Sequence, residues 1–189
     1  MNTIIYMVRH AESPYNEGTE RTRGLTDKGK DDVEKVTEIL KEEGIDVVIS
    51  SPYSRAILSI EGLALYVGLD IEIFEDLRER HFASEVIEDL MSVIHEKFYD
   101  FDYCLPGGES NYECQNRSVS VIKKLLKERS GKKIAIGTHG LVMTLMMNYF
   151  DSSYGLDFFN RLEKPDIYKL SFENLELKEV TKMWNGDFR

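Results

Sequence analysis

Cysteine is scarce in this chain: Cys104 and Cys114 are the only two among 189 residues. Two thiols so close in sequence make no disulfide framework, so a reducing, cytoplasmic setting is expected, with both as ordinary thiols. No apolar run approaches the roughly 18 residues of a membrane span. Nor does the N-terminus offer a basic region, an apolar stretch and a small-residue cleavage site in succession, so no secretory signal is expected. Basic residues are in deficit as well. Lys and Arg number 24 against 34 Asp and Glu, a formal net charge of -10. That balance argues against nucleic acid or an anionic membrane as partner, because either would need a basic face. An anionic small molecule remains compatible with it, provided a few arginines gather locally. No repeat, low-complexity tract or Pro/Gly/Ser-rich linker divides the chain, so a single domain over residues 1–189 is expected. Two further absences bear on chemistry. No His-x-x-x-His pairing suggests a zinc site, and the Gly107-Gly108 turn lacks the lysine and spacing of a nucleotide-cradling loop.

What is present suits a globular domain with a real core, at 42% hydrophobic and 31% charged residues. Thr3-Ile4-Ile5-Tyr6-Met7-Val8 predicts a buried strand that ends in Arg9-His10. After an irregular polar segment, residues 11–24, Thr26 is a good N-cap for a helix with Val33, Val36, Ile39 and Leu40 on its apolar stripe, stopped by Gly44. Asp46 to Ser50 predicts a second buried strand, and a helix follows from about Tyr53 to Val67, ended by Gly68. Ile71 to Phe74 is a short strand candidate, Ser84 to Phe98 reads as helical, and Ser110 to Glu128 is the clearest helix. Lys133 to Gly137 predicts another buried strand, followed by Thr138-His139-Gly140 and a helix from Leu141 to Tyr149. Two tail strands are expected, at Ile167–Phe172 and Glu176–Met183. This alternation predicts a mostly parallel central sheet covered on both faces, a three-layer α/β/α sandwich.

Three of these strands end in residues suited to phosphate. The first ends in Arg9-His10, the second leads through Ser50-Ser51-Pro52 to Arg55, and the Ile134-Ala135-Ile136 strand leads to His139. Parallel strands put their C-terminal ends on one edge, so these groups can converge in one crevice. Glu79, beyond the Ile71 strand, adds a carboxylate. Two histidines, two arginines and one acid form a complete set for phosphoryl transfer through a covalent intermediate.

The pattern resembles the histidine phosphatase superfamily, the phosphoglycerate mutase-like group. Arg9-His10-Ala11-Glu12-Ser13 with Asn16 is similar to its Arg-His-Gly signature, with Ala11 in place of the usual glycine. Ser50 to Ala56, Leu77-Arg78-Glu79, Gly107-Gly108-Glu109-Ser110 and Thr138-His139-Gly140 resemble its other blocks, in the family's order. The resemblance implies a phosphoglycerate mutase-like fold and a metal-independent phosphomonoesterase of the histidine acid phosphatase type, with no cofactor. It further implies that His10 attacks phosphorus and becomes phosphohistidine, and that Arg9, Arg55 and His139 hold the phosphate oxygens. Glu79 would donate and later accept a proton, with Ser13 and Asn16 as secondary phosphate donors. The expected partner is a small-molecule phosphate ester; monomer and dimer are both open.

Alternatives stand beside these roles. A phosphoglycerate mutase has the same core machinery, but mutases carry a longer insert with paired arginines after the acid block. Here the lid-like stretch at about residues 82–106 has no arginine, and acids outnumber bases around it, which favours a phosphatase. A phospholigand-binding protein of this fold is the third possibility, although a pure binder has no need of a proton donor. Ser13 and Asn16 equally suit turn hydrogen bonds. Leu58 and Ser59 depart from the family in ways that affect helix packing more than chemistry. Arg117 partners Glu109 either in support of the site or as a solvated pair, and His95 is a helix-surface residue. The run Phe98-Tyr99-Asp100-Phe101-Asp102-Tyr103 either lines the pocket mouth or packs a lid onto the body.

Overall fold

A computed structural model describes residues 2–186 of the chain. Six strands form one sheet: β1 (Asn2–Arg9), β2 (Val47–Ser50), β3 (Ile71–Ile73), β4 (Lys133–Thr138), β5 (Asp166–Glu173) and β6 (Glu176–Lys182). Their spatial order is β3-β2-β4-β1-β5-β6. The first four are parallel, and β5 and β6 join antiparallel on one side. The central strands are near-continuous apolar runs because both faces are covered. Alternate residues serve opposite layers: Ile5 and Met7 of β1 join one core cluster, while Tyr6 and Val8 join the other.

Helices fill both layers. On the Tyr6 side lie α1 (Asp27–Leu40) and α2 (Ser54–Val67), contributing Val36, Leu40, Ile60 and Leu63. On the Ile5 side lie α3 (Leu90–Lys97), α4 (Asn111–Glu128), α5 (Gly140–Phe150) and α6 (Leu156–Arg161). Thr26 caps α1 by accepting from the Gly29 N–H, and Ser110 with Glu113 forms a reciprocal capping box at α4. Gly68 ends α2 in the left-handed conformation expected of a C-terminal glycine. Met143, Met146 and Met147 are fully buried core residues. Among the described residues no helix is long and apolar enough to cross a membrane.

The helix expected over Ser84–Phe98 is shorter than its sequence suggests. Residues 84–89 are irregular, and Asp89 starts α3 by accepting from the Ser92 N–H. Val86, which a longer helix would have to bury, is 96% exposed. The six-residue α6 has no counterpart in the expected elements, being too short to display a helical period. The aromatic run after α3 packs a loop onto the body: Phe98 lies in the core, and Phe101 packs against it.

Candidate active site

Parallel alignment places the ends of β1, β2 and β4 side by side. Arg9 lies opposite Thr138, and Ser50 opposite Gly137. Two backbone bonds extend this register past the sheet, from His10 N–H to the Thr138 carbonyl at 2.9 Å and from Ser51 N–H to the Gly137 carbonyl at 3.0 Å. His10 and His139 are thereby stacked edge to face, with ring centroids 5.3 Å apart. Gly137 admits α2 here, since a Cβ at that position would fall 2.8 Å from the Ala56 carbonyl oxygen.

Each imidazole has one ring nitrogen held by a neighbour. His10 Nδ1 lies 2.7 Å from the Ala11 carbonyl oxygen. A carbonyl can only accept, so Nδ1 carries the hydrogen and Nε2 keeps its lone pair. The Ala11 peptide is fixed in turn by Ser59, whose Oγ accepts from the Ala11 N–H at 2.9 Å and donates to the Arg55 carbonyl at 2.7 Å. Ser59 therefore does more than pack a helix. His139 Nε2 lies 2.6 Å from Ser51 Oγ, which also accepts from the Tyr53 N–H at 3.2 Å. When the Ser51 hydroxyl donates to Nε2, the ring proton of His139 is on Nδ1. That Nδ1 is buried and unpartnered. Burial lowers the pKa of His10 well below the ordinary histidine value, and the charges of Arg55, Arg9 and Lys164 lower it further, against the opposing bond to Ala11. His139 is lowered likewise by complete burial, then by His10, Arg55, Arg23 and Arg9. Both rings are neutral at pH 7.

Three arginines surround the pair. Arg9 Nη1 donates to the Leu162 and Glu163 carbonyls at 2.8 and 3.2 Å, in the turn before β5. Its guanidinium lies against Gly140, where a Cβ would sit 3.0 Å from Cζ, Nε and Nη2. Arg55, in the first turn of α2, is 1% exposed and stacks over the Tyr53 ring at 5.0 Å. The third is Arg23, which sequence reasoning missed. It is 7% exposed, donates to Ser13 Oγ at 2.8 Å and lies over the Tyr15 ring at 4.9 Å. The Glu20 carboxylate spans two of the three, taking Arg55 Nη2 at 3.0 Å and Arg23 Nε at 3.2 Å. Arg9 Nε and Arg55 Nε are buried with no partner.

Glu79 closes the cluster. Its carboxylate sits on the N-terminus of α5, accepting from the Val142 and Leu141 N–H groups at 2.9 and 3.1 Å and from the Arg80 N–H at 2.9 Å. It is near enough to act electrostatically on Arg9 and Arg55. The structure thus brings His10, His139, Arg9, Arg55 and Glu79 together in one polar cluster at the ends of the parallel strands.

The sequence matches the family model of the histidine phosphatase superfamily, branch 1, over residues 5–183. The chain belongs to this superfamily. A curated relative from Salmonella paratyphi B, named "Probable phosphoglycerate mutase GpmB", is 27% identical over 157 residues, covering 76% of this chain and 73% of its own. Among solved structures, a mycobacterial glucosyl-3-phosphoglycerate phosphatase superposes with a TM-score of 0.76 at 18% identity, covering 99% of this chain and 100% of the other. A phosphoserine phosphatase mutant from Entamoeba histolytica, in complex with phosphoserine, gives 0.75 at 18% identity, covering 94% and 96%. At such identities the two structures support the fold alone, a phosphoglycerate mutase-like α/β/α sandwich.

Other residues singled out by the sequence fall in different places around this cluster. Ser13 is buried and bound to Arg23. Asn16 lies on the same loop, exposed, and its amide makes no hydrogen bond among the described residues. Lys164 approaches from the turn before β5 and donates to the Tyr15 hydroxyl at 2.8 Å. His95 faces α6, with Nε2 2.9 Å from Asn160 Oδ1. Cys114 is buried, and burial raises its thiol pKa far above the ordinary range, while Cys104 is exposed.

Proposed function

We propose that this histidine phosphatase is a metal-independent phosphomonoesterase acting on a small phosphorylated metabolite through phospho-His10. The observation that carries the reading is the state of the His10 ring: its proton is held by Ala11, its Nε2 lone pair is free, and cations surround it. In the first step Nε2 attacks phosphorus, a P–N bond forms and the bond to the ester oxygen breaks. Glu79, entering this step as the acid, gives its proton to the departing alkoxide. In the second step water attacks the phosphohistidine, the P–N bond breaks, and the Glu79 carboxylate takes the proton from that water. Inorganic phosphate leaves. Charge on the equatorial oxygens is met by Arg9, Arg55, Arg23 and the Nδ1–H of His139, with Ser13 and Asn16 as further donors. The buried unpartnered donors Arg9 Nε, Arg55 Nε and His139 Nδ1 support this assignment, since such groups rarely go unmet.

Hydrolysis is favoured over transfer to a second sugar acid by the segment from residue 82 to 106. It contains no arginine, and it packs onto the body through Ile94 and Phe98. The name of the Salmonella relative supports phosphoglycerate mutase as a second reading. Two assays separate them. The phosphatase reading predicts turnover of p-nitrophenyl phosphate that His10→Ala abolishes, and faster hydrolysis than interconversion of phosphoglycerates with a bisphosphoglycerate primer. Turnover surviving in pure His10→Ala protein would defeat the phosphohistidine assignment.

A further inference from the structure

Glu79 is held by two separate parts of the fold. Its carboxylate rests on α5, whereas its main chain runs through an irregular segment that follows the short turn Glu75–Leu77. That segment is tied down by one side chain of α4. Arg117 Nη1 donates to the carbonyls of Asp76 and Arg78 at 2.6 and 2.9 Å, and Nη2 donates to the carbonyl of Glu79 itself at 3.4 Å. The same guanidinium grips Glu109 in two-pronged fashion, through Nε to Oε2 at 2.9 Å and through Nη2 to Oε1. Glu109 Oε1 also accepts from the His81 N–H at 3.1 Å, beyond the acid in the chain. Arg80 anchors the opposite flank, donating to the Glu109 carbonyl at 2.8 Å, Asn111 Oδ1 at 2.8 Å and the Tyr103 carbonyl at 3.2 Å.

This is no solvated surface pair. The side chains of Arg117 and Glu109 are 11% and 13% exposed. Burial disfavours both charges, yet their mutual bond holds Glu109 below the ordinary carboxyl range and Arg117 above its own. A guanidinium presents its donors in a fixed planar fork, so it can meet a carboxylate on one edge and backbone carbonyls on another. An ammonium offers donors from a single point and cannot span both.

We propose that Arg117, locked by Glu109, is a positioning residue that sets the main chain of Glu79 so that its carboxylate can reach the leaving oxygen. The inference rests on the proton-transfer role assigned to Glu79 above. Nothing in it requires Arg117 to touch substrate. Misplacing an acid harms most the esters that need it: an alkyl phosphate must have its leaving oxygen protonated, whereas p-nitrophenolate departs with little help.

The test compares kcat/KM for glycerol phosphate and for p-nitrophenyl phosphate, because that ratio reports the first transfer and not the shared hydrolysis of phosphohistidine. Glu79→Gln is the reference and should lose on the order of 100-fold on the alkyl ester but only a few-fold on the aryl ester. Arg117→Lys should show the same selectivity in weaker form, about 30-fold against less than about 3-fold. If Arg117→Lys does not fold, the paired change Arg117→Met with Glu109→Met removes both charges together and is read the same way. Equal losses on both esters, or none, in an Arg117 variant while Glu79→Gln remains selective would overturn the positioning role alone. Equal losses in Glu79→Gln would refute the acid assignment, and the positioning role with it.

Discussion

Replacing Glu20 with alanine is expected to tighten the binding of orthophosphate. Glu20 places its carboxylate on Arg55 at 3.0 Å and on Arg23 at 3.2 Å, so under the proposed mechanism it competes for the donors assigned to the substrate phosphate. The arginines are buried, at 1% and 8% side-chain exposure, but Glu20 is 64% exposed. Solvent therefore screens the contact, and each pair contributes about 0.2–1 kcal/mol. Two such pairs sum to ~1 kcal/mol, which corresponds to roughly 5-fold in an equilibrium constant. The assay is competitive inhibition of p-nitrophenyl phosphate turnover by orthophosphate, with the thermal shift on adding phosphate as a second measure. Glu20→Ala should lower the inhibition constant by about 5-fold and enlarge that shift. An unchanged or higher inhibition constant would refute the reasoning, because Glu20 would then be a bystander, or a support, of the anion site.

Acid should destabilise the fold through the two site histidines. Their folded pKa values lie well below the ordinary one, so the unfolded chain gains protons first as pH falls below about 6.5. The stability is fully present above that pH and falls below it, by up to ~1.4 kcal/mol per pH unit for each ring. Urea unfolding at pH 7.5, 6.5 and 5.5 should follow this slope, and His10→Asn with His139→Asn should flatten it; a wild-type midpoint that stays level to pH 5.5 would contradict it. Gly140→Ala would put a methyl 3.0 Å from three atoms of the Arg9 guanidinium. Arg9 is tethered to Leu162 and Glu163, so it must shift against those bonds, and kcat/KM should fall by roughly 10-fold. Wild-type kinetics in Gly140→Ala would show that the position of Arg9 is not critical.

The sequence made the strand-end chemistry legible for a simple reason. Apolar runs long enough to be buried strands stop at Arg9-His10, at Ser50-Ser51 and just before His139, and parallel pairing puts such ends together. Arg23 and Glu20 escaped because they lie in residues 11–24, which have no period from which a side-chain direction can be read. The roles of Ser51 and Ser59 depend on which ring nitrogen or peptide N–H each meets across the fold, a long-range fact with no local signal. Ser84–Phe98 failed in the opposite sense. Its composition permits a helix, but only the part from Leu90 onward has a face to bury, with Ile94 in the core and Val86 in solvent. For Arg117 and Glu109 the sequence named the pair, and only the burial of the pair and its three carbonyl partners separate scaffold from surface ion pair.

The central claim is that phosphate passes through His10. Rapid quench of the enzyme with a 32P-labelled phosphomonoester into alkali, where phosphohistidine survives, followed by peptide mapping, tests it most directly. The account predicts label on the peptide containing His10, formed and lost at rates that match turnover, and none in His10→Ala. Turnover by the wild-type protein with no labelled histidine, or with label on another residue, would contradict it.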